Sequence, residues 1–287
     1  MKNALFVGLT TLDFVYLVDA VPHANQKLVA LEQAIAAGGP ATNAAVAFQY
    51  LGGQANLLSV IGSHELVSLI QADLEPQGIK QLDLKPENSE PPPVSTILVT
   101  KQTGDRAVVS RNAVKHQGNP DKLQLAQFND CDGILIDGHQ MAVSFASAKA
   151  AQGRGIPIVI DGGSWKPGFE TVLPFATAVI ASANFRPPGC KNSIDALDYL
   201  ENLGIPYLAV TQGAKDILVC DRGSKSQMPV TPIQARDTLG AGDFFHGAFC
   251  YHFDGANFEY ALSAAAAIAS FSCQFFGTRQ WLTEKFK

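Results

Sequence analysis

Short β-prone runs alternate with helical segments along most of the 287-residue chain, and this alternation constrains the fold more than any other feature. The apolar runs of strand length are residues 5–9, 56–61, 133–137, 158–161, 178–181, 207–211 and 217–220. Segments with helical spacing lie between them, at residues 41–52, 65–77, 141–152 and 193–203. Because strands that alternate with helices form a mostly parallel sheet covered on both faces, the sequence predicts a three-layer α/β/α fold.

Two stretches interrupt the alternation. Residues from about 14–37 are β-prone without a proper helix, and residues 91–111 begin with three prolines and continue as a hairpin that turns at 102–105. Both predict a small extra sheet outside the main layer, within a single domain over residues 1–287. The alternative is two hairpins that only decorate the edge of the main sheet.

Composition excludes several classes of protein. Nearly half of the residues are hydrophobic (47%), and the net charge of −5 argues against binding nucleic acid through a broad basic surface. The five cysteines include no C-x-x-C pair, so we expect reduced thiols and no zinc site. The N-terminal apolar stretch resembles a first strand more than a signal peptide, and the longest apolar run, 261–271, is too short to span a bilayer. We therefore expect a cytoplasmic protein with no membrane partner.

A glycine-rich loop near the C-terminus predicts an anion site. Gly240, Ala241 and Gly242 precede an apolar helix, so that backbone N–H groups and the helix dipole can converge on one point. Asp243 would repel a phosphate bound there unless it has a chemical role. That role is a general base, which takes the proton from a hydroxyl that attacks the phosphoryl group. The alternative is a tight loop in which Asp243 only interacts with the helix dipole.

The stretch Asp237-Thr238-Leu239-Gly240-Ala241-Gly242-Asp243 resembles the C-terminal signature of the ribokinase (PfkB) carbohydrate kinases. Residues 38–43, Gly-Gly-Pro-Ala-Thr-Asn, resemble the N-terminal signature of that family, and the layout is most similar to the ketohexokinase and sulfofructose kinase branch. The resemblance implies a ribokinase-like fold in which the small sheet is a lid over the sugar. It also implies ATP-dependent phosphorylation of a primary hydroxyl of a ketose or pentose. Asp243 would be the base, and the amides of residues 240–243 would stabilise the transferring phosphoryl group.

By the same resemblance, a set of residues near the predicted strand ends would hold the sugar. The set is Asp13, Gly39 and Asn43, with Arg111 and His139 as further candidates. In sulfosugar enzymes an arginine aligns with His139, and this departure does not favour a sulfonated substrate.

The nucleotide side is also implied by the resemblance. ATP with Mg²⁺ would contact Asn184, Thr211, Gly213, Gly242, Cys273 and Gly277, and Asp237 would belong to a monovalent-cation site for K⁺. Two departures stand out. The glutamate of the family's Asn-x-x-Glu motif is missing after Asn184, and Asp216 replaces the last glycine of Thr-x-Gly-x-x-Gly. The way in which Mg²⁺ is held therefore does not transfer from the family, and Arg186 is a candidate for supplying positive charge instead.

Two other functions remain open. A nucleoside kinase of the same family would use the same residues on a ribose, and the aromatic Phe14 and Tyr16 on the lid would suit a base. A catalytically weak sugar or nucleotide sensor would explain the altered motifs. The sequence contains no P-loop, no G-x-S-x-G and no H-E-x-x-H motif. The lid also leaves open a homodimer in which two lid sheets pair.

Overall fold

The central layer is a nine-stranded sheet in a computed structural model that describes residues 1–112, 114 and 116–286. Its strands are β1 (Asn3–Val7), β4 (Gln54–Ser59), β5 (Lys80–Asp83), β8 (Gly133–Ile136), β9 (Ile158–Gly162), β10 (Ala178–Ser182), β11 (Tyr207–Gln212), β12 (Lys215–Asp221) and β13 (Ser224–Met228). Their spatial order is β13-β12-β11-β10-β9-β8-β1-β4-β5. The seven strands from β11 to β5 are parallel, and β12 pairs antiparallel with both of its neighbours, β11 and β13. The predicted mostly parallel sheet is confirmed.

Helices cover both faces of this sheet. They are α1 (Pro40–Tyr50), α2 (Val67–Leu74), α3 (Met141–Gln152), α4 (Phe169–Val172), α5 (Ser193–Asn202), α6 (Ala241–His252) and α7 (Phe258–Ser272). One hydrophobic core lies under α1, α6 and α7 and contains Phe48, Phe249 and Leu262. The other lies under α3, α4 and α5 and contains Val143 and Leu197. Among the described residues, no helix has both the length and the apolar character needed to cross a bilayer.

The lid is a separate four-stranded sheet. It consists of β2 (Thr11–Val18), β3 (Glu32–Gly38), β6 (Val94–Thr100) and β7 (Arg106–Ser110) in the order β3-β2-β6-β7. The hairpin predicted at 102–105 is present between β6 and β7. One face of the lid packs Val15, Ile97 and Val99 against Phe276, and Leu239 of the glycine-rich loop joins this cluster. The lid therefore packs on the segment that follows α7 and on the glycine-rich loop of the predicted anion site.

The parallel strands and the two N-terminal helix ends position the site. The carboxyl ends of β1, β8, β9, β10 and β11 share one edge of the sheet, because these strands are parallel. Helices α1 and α6 lie side by side, and each begins within one of the two glycine signatures, directly after a glycine. The two signatures, about 200 residues apart in sequence, therefore meet above this edge.

Candidate active site

The glycine-rich loop forms the N-terminus of α6. Gly240 caps the helix with φ 74°, and a β-carbon at this position would lie 3.0 Å from the Phe244 ring, so only glycine fits without strain. The first-turn N–H groups of Ala241, Gly242 and Asp243 lie where an α-helix lacks intrahelical acceptors. The predicted anion site therefore has the backbone geometry that it requires.

Asp237 fixes this loop to the residues after α7. Its side chain is 2% exposed, and its two oxygens accept hydrogen bonds from the N–H groups of Leu239 and Gly277, both at 2.8 Å. The carbonyl oxygen of Cys273 accepts from the N–H of Asp237 at 3.2 Å. Burial raises the pKa of Asp237 and outweighs these hydrogen bonds. The predicted cation-site residue and two predicted nucleotide residues thus form one structural unit with the loop.

Asp243 and Asn43 meet directly, as first-turn residues of two different helices. Asn43 Nδ2 donates to Asp243 Oδ2 at 2.9 Å, and the carboxylate lies half-buried in the first turn of α6. Burial raises the pKa of Asp243 to about 7, and the negative charge of Asp161 adds to this effect. Asn43, His246 and Arg106 act in the opposite direction but do not cancel it. A carboxylate with a pKa near 7 is suited to accept a proton from a hydroxyl at neutral pH.

Asp161 and His246 are site residues that the sequence prediction missed. Asp161 ends β9, is 4% exposed, and lies 3.6 Å from His246 Nε2 through Oδ1. His246 Nε2 is 3.0 Å from the carbonyl oxygen of Ile180, and Nδ1 is 2.6 Å from that of Gly242. The position of Asp161 at the carboxyl end of a parallel strand was a signal for a site residue; His246 gave none, since it is one histidine on an apolar helix.

The other predicted sugar residues on the N-terminal side, Asp13 and Gly39, lie next to the Asn43–Asp243 pair. Asp13, on β2, is 5% exposed and accepts a hydrogen bond from Thr11 Oγ1 at 2.6 Å. Burial raises its pKa, although hydrogen bonds from Thr11 and Ser95 oppose the shift. Its carboxylate lies against Gly38, the residue before Gly39. Asp13, the glycine pair and the start of α1 therefore form a continuous polar wall that leads to Asn43.

His139 lies close to a buried carboxylate. Asp137 is completely buried and accepts hydrogen bonds from the N–H groups of Leu9, Ala41 and His139 at 2.9, 3.1 and 2.9 Å. His139 Nδ1 is 3.3 Å from Asp137 Oδ1. Burial disfavours the charged form of Asp137, but the charge and hydrogen bond of His139, together with the N–H of Leu9, lower its pKa to about 2. Asp137 thus fixes the turn after β1 and the start of α1, and His139 is partly committed to it.

Arg111 makes no contact with the Asn43–Asp243 pair in the part of the chain that the structure describes. It follows the lid hairpin, its side chain is exposed, and its backbone N–H donates to Val94 at 3.5 Å. Within the described ranges, no hydrogen bond or ion pair joins Arg111 to Asp13 or Asp243. Its role in binding sugar stays a prediction.

The predicted nucleotide residues from the strand ends lie on the other side of the loop. Thr211 is at the end of β11, where its Oγ1 donates to the carbonyl oxygen of Ala181 at 3.3 Å, and Gly213 follows in the turn. Asn184 follows β10 and is exposed, and its backbone N–H donates to Ser182 Oγ at 3.0 Å. A cavity of about 520 Å³ opens between α7 and the segment after β13. Its lining residues include Thr231, Ile233, Ala266, Ala267, Ser270 and Gln274.

The lid touches the glycine-rich loop through its hairpin turn. Thr238 Oγ1 donates to the carbonyl oxygen of Gly104 at 3.1 Å. Arg106 Nη1 donates to both Thr238 O and Thr238 Oγ1, each at 3.1 Å. The charge of the Arg106 guanidinium also opposes the rise in the pKa values of Asp237 and Asp243, so Arg106 contributes to the electrostatics of the site, and the sequence prediction missed it.

Arg279 is a further residue that sequence reasoning missed. It follows α7 and donates hydrogen bonds to Asn43 and to Asp73 on α2. These partners are more than 200 residues away in sequence, so no local pattern identifies them. Arg186, the candidate for supplying positive charge, is partly buried, and its Nη1 donates to the carbonyl oxygen of Phe185 at 2.9 Å.

The fold and the site define a class of protein: an α/β enzyme with a lid, an anion site at a helix N-terminus and an adjacent carboxylate. The pattern of the pfkB family carbohydrate kinases matches residues 1–285 of the chain. The chain belongs to this family and is a phosphotransferase of the carbohydrate-kinase type.

Similar proteins cover almost the whole chain. A ribokinase from Bacillus subtilis is 23% identical over 97% of this chain and 95% of its own length. A nucleoside kinase from Methanocaldococcus jannaschii is 26% identical over 94% of this chain and 90% of its own. A ketohexokinase from Mus musculus is 20% identical over 95% of this chain and 96% of its own. The predicted family is confirmed, and the relatives include the ketohexokinase at a lower identity than the ribokinase and the nucleoside kinase.

Solved structures support the fold. An Agrobacterium tumefaciens protein provisionally classed as a ribokinase superposes with a TM-score of 0.86, at 25% identity and 99% coverage of both chains. An E. coli protein provisionally classed as a ribokinase II, solved with ATP and Mg²⁺, superposes with a TM-score of 0.80 at 15% identity, covering 98% of this chain and 96% of its own. The predicted ribokinase-like fold with a lid is therefore confirmed, and kinases of this family use ATP with Mg²⁺.

Proposed function

We propose that this protein transfers the γ-phosphoryl group of ATP to a primary hydroxyl of a small sugar, either a ketose or a pentose. One observation carries the proposal: the Asp243 carboxylate lies beside the first-turn amides of α6 and has a pKa raised to about 7. An anion site and a base are thus adjacent, which is the arrangement that phosphoryl transfer to a hydroxyl requires.

Different residues of the chain have different roles in the proposed reaction. Asp13, Gly39 and Asn43 orient the sugar so that one hydroxyl points at Asp243, with Arg111 and His139 as further contacts. Asp243 takes the proton from that hydroxyl as the oxygen attacks. The amides of Gly240, Ala241, Gly242 and Asp243 stabilise the charge that develops on the phosphoryl oxygens. The lid excludes water, which limits hydrolysis of ATP without sugar.

The nucleotide would lie along the other side of the loop. Thr211, Gly213 and Asn184 approach its phosphates from the strand ends, and the cavity beside α7, one turn from Cys273, has room for the base. Gly277 and Cys273 connect this side to Asp237. Within the described ranges, no group of three or more His, Cys, Asp or Glu side chains is arranged to hold a metal ion.

Mg²⁺ fits this site as part of the nucleotide complex. Magnesium keeps several waters and needs few protein ligands when phosphates are present, so the lack of a protein cage is compatible with Mg-ATP. The exposed Asn184 is the residue placed to meet its water shell. When bound, the ion neutralises charge on the ATP oxygens.

The first test is an ADP-release assay with Mg-ATP across ketoses, pentoses, nucleosides and acidic sugars. We expect a sugar-dependent rate that falls by roughly 100-fold to 10,000-fold in Asp243→Asn, because removal of a general base has this effect. Asp121→Asn, an exposed carboxylate far from the loop, is the matched control and keeps the wild-type rate. Near-normal turnover in Asp243→Asn would reject the assigned base.

A nucleoside is the second candidate for the acceptor. Phe14 and Tyr16 are half-buried on lid strand β2, where an aromatic side chain can stack on a base, and one relative is a nucleoside kinase. In the same assay, turnover with nucleosides but not with free sugars would select this function. ATP binding without any turnover across the panel would instead favour a sensor with altered motifs.

We also propose that two copies pair through their lids. Strands β3 and β7 are free edges of the lid sheet, and Ile35, Val108 and Val109 are 46%, 50% and 76% exposed. Sedimentation velocity over a concentration series should show a dimer for the wild type and for the control Ile194→Glu, and a monomer for Val109→Glu. A wild-type monomer at all concentrations would reject the pairing.

A further inference from the structure

The Arg279 side chain contacts Asp73 on α2, the backbone at the end of β3 and the Asn43 side chain on α1. Its side chain is 16% exposed, and Nε and Nη2 bond to Asp73 of α2 at 2.9 to 3.2 Å. Nη2 also donates to the carbonyl oxygen of Ala37 at 2.7 Å. Nη1 donates to the carbonyl oxygen of Thr278 at 3.0 Å and to Asn43 Oδ1 at 3.1 Å. Four of the five N–H groups of the guanidinium therefore donate hydrogen bonds, and the ion pair between Nη2 and Asp73 adds a further contact, so its position is fixed.

The side-chain amide of Asn43 has two possible orientations, and its neighbours select one. A guanidinium can only donate hydrogen bonds, so the atom that faces Arg279 must be Oδ1. The amide nitrogen then faces Asp243 Oδ2, 2.9 Å away. In the flipped orientation the amide NH₂ would face the guanidinium and the amide oxygen would face the carboxylate, which leaves two repulsive contacts in a site where Asn43 is 2% exposed.

We propose that Arg279 is a positioning residue for the reaction: it holds the Asn43 amide so that Asp243 receives a hydrogen bond that favours its ionised form and orients it as the base. This role rests on the proposed function, because it assigns Asp243 as the base. Asp73 supports Arg279, and it also accepts a hydrogen bond from the N–H of Ala37 at 2.9 Å. The order of contacts is therefore Asp73, Arg279, Asn43, Asp243.

Several charged groups surround Asp243, so a test must distinguish the effect of the Asn43 hydrogen bond from the effect of charge. Asp161 on β9 favours its neutral form, whereas His246 on α6 and Arg106 on β7 favour its ionised form through their charge. Asn43 on α1 favours the ionised form through its hydrogen bond. A variant of Arg279 could therefore act through the Asn43 amide or through a loss of positive charge alone.

The experiment measures the titration of Asp243 directly, without any substrate. The protein is labelled with ¹³Cγ-aspartate, and the Asp243 signal is assigned by its disappearance in Asp243→Asn. We expect Arg279→Met to raise the titration midpoint by about one pH unit, a tenfold change in proton affinity. Arg279→Lys keeps the charge but not the planar group of donors, so its midpoint should also rise. Arg154→Met removes an exposed charge far from the site and should change nothing.

A double-mutant comparison shows whether the effect passes through Asn43. In the Asn43→Ala background, Arg279→Met should cause no further rise in the midpoint, because there is no amide left to orient. An unchanged midpoint in both Arg279 variants would overturn the proposal. So would an equal rise with and without Asn43. If Arg279→Met does not fold, Arg279→Lys is measured with and without Asn43→Ala, and the same comparison of midpoints tests the proposal.

The turnover assay keeps this inference separate from the proposed function. Full activity in Asp243→Asn would reject the assignment of Asp243 as the base, whatever the titration shows. Loss of activity in Asp243→Asn with no midpoint shift in the Arg279 variants would leave the kinase assignment intact and reject only the role of Arg279.

Discussion

Replacing Asp243 with asparagine should stabilise the folded protein at alkaline pH. In the folded state, burial and the charge of Asp161 raise the pKa of Asp243 from 3.8 to about 7. Above that pH the folded protein must bury an ionised carboxylate, which lowers its free energy of unfolding. Asparagine removes the charge, and its side-chain oxygen still accepts the hydrogen bond from Asn43 Nδ2.

The sign and the size of the effect follow from the two pKa values. Below pH 3.8 the carboxyl is protonated in both states and contributes nothing. Between pH 3.8 and about 7 the unfolded chain loses the proton while the folded protein keeps it, so wild-type stability falls as pH rises. A shift of about 3 units corresponds to about 4 kcal/mol, and we expect about 2 kcal/mol, because Asp243 is only half-buried and is partly screened by solvent.

Thermal unfolding of wild type and Asp243→Asn at several pH values measures this difference. At pH 8 the variant should unfold roughly 4–8 °C higher, since 1 kcal/mol corresponds to about 2–4 °C in a protein of this size. The gap should shrink by more than half at pH 5. Asp121→Asn, with an exposed carboxylate, should show no pH-dependent gap. A variant that is less stable than wild type at pH 8, or a gap of equal size at both pH values, would refute the reasoning.

Three further predictions concern the loop and the lid. Gly240→Ala places a β-carbon 3.0 Å from Phe244 at φ 74°, so the free energy of unfolding should fall by about 1–3 kcal/mol; Gly242→Ala, with open space at its β-carbon, should unfold in denaturant like the wild type. Arg106→Met removes both hydrogen bonds to Thr238, so the KM for ATP should rise and ATP hydrolysis without sugar should increase relative to turnover. If the backbone after Asp237 holds K⁺, the rate in KCl should exceed the rate in tetramethylammonium chloride, and equal rates would exclude this site.

The main layer could be predicted from the sequence because its strands are buried on both faces. Such strands are continuous apolar runs, and the predicted 133–137 and 207–211 correspond to β8 and β11 within one residue. Two edge strands, β5 and β13, were missed because they are short and polar, with only partly buried or exposed side chains. The mostly apolar sequence continues beyond the last helix, but α7 ends at Ser272, and the next residues turn back to bond Asp237.

The local parts of the site could be predicted for a similar reason. A tight turn followed by a helix N-terminus needs small residues at fixed spacing, so the glycine signatures are visible in the sequence. Arg279 and Arg106 contact the site from other elements, and each is a single charged side chain that resembles any surface arginine. Nothing local distinguishes them. Only the packing of the elements shows which charges face Asp243.

The packing of α1 on α6 explains why the two signatures act together. Gly247 lies one turn after Asp243, and a β-carbon there would be 2.1 Å from the carbonyl oxygen of Ala44, so the two helix backbones come into direct contact only because this residue is glycine. Asn43 and Asp243 lie at the N-terminal ends of these two helices, and the close contact brings their side chains within 2.9 Å. A glycine with no ligand contact therefore sets the distance between a predicted sugar-binding residue and the predicted base. The glycines on the two sides of Asp243 thus encode both an anion site and the helix packing that positions the predicted base.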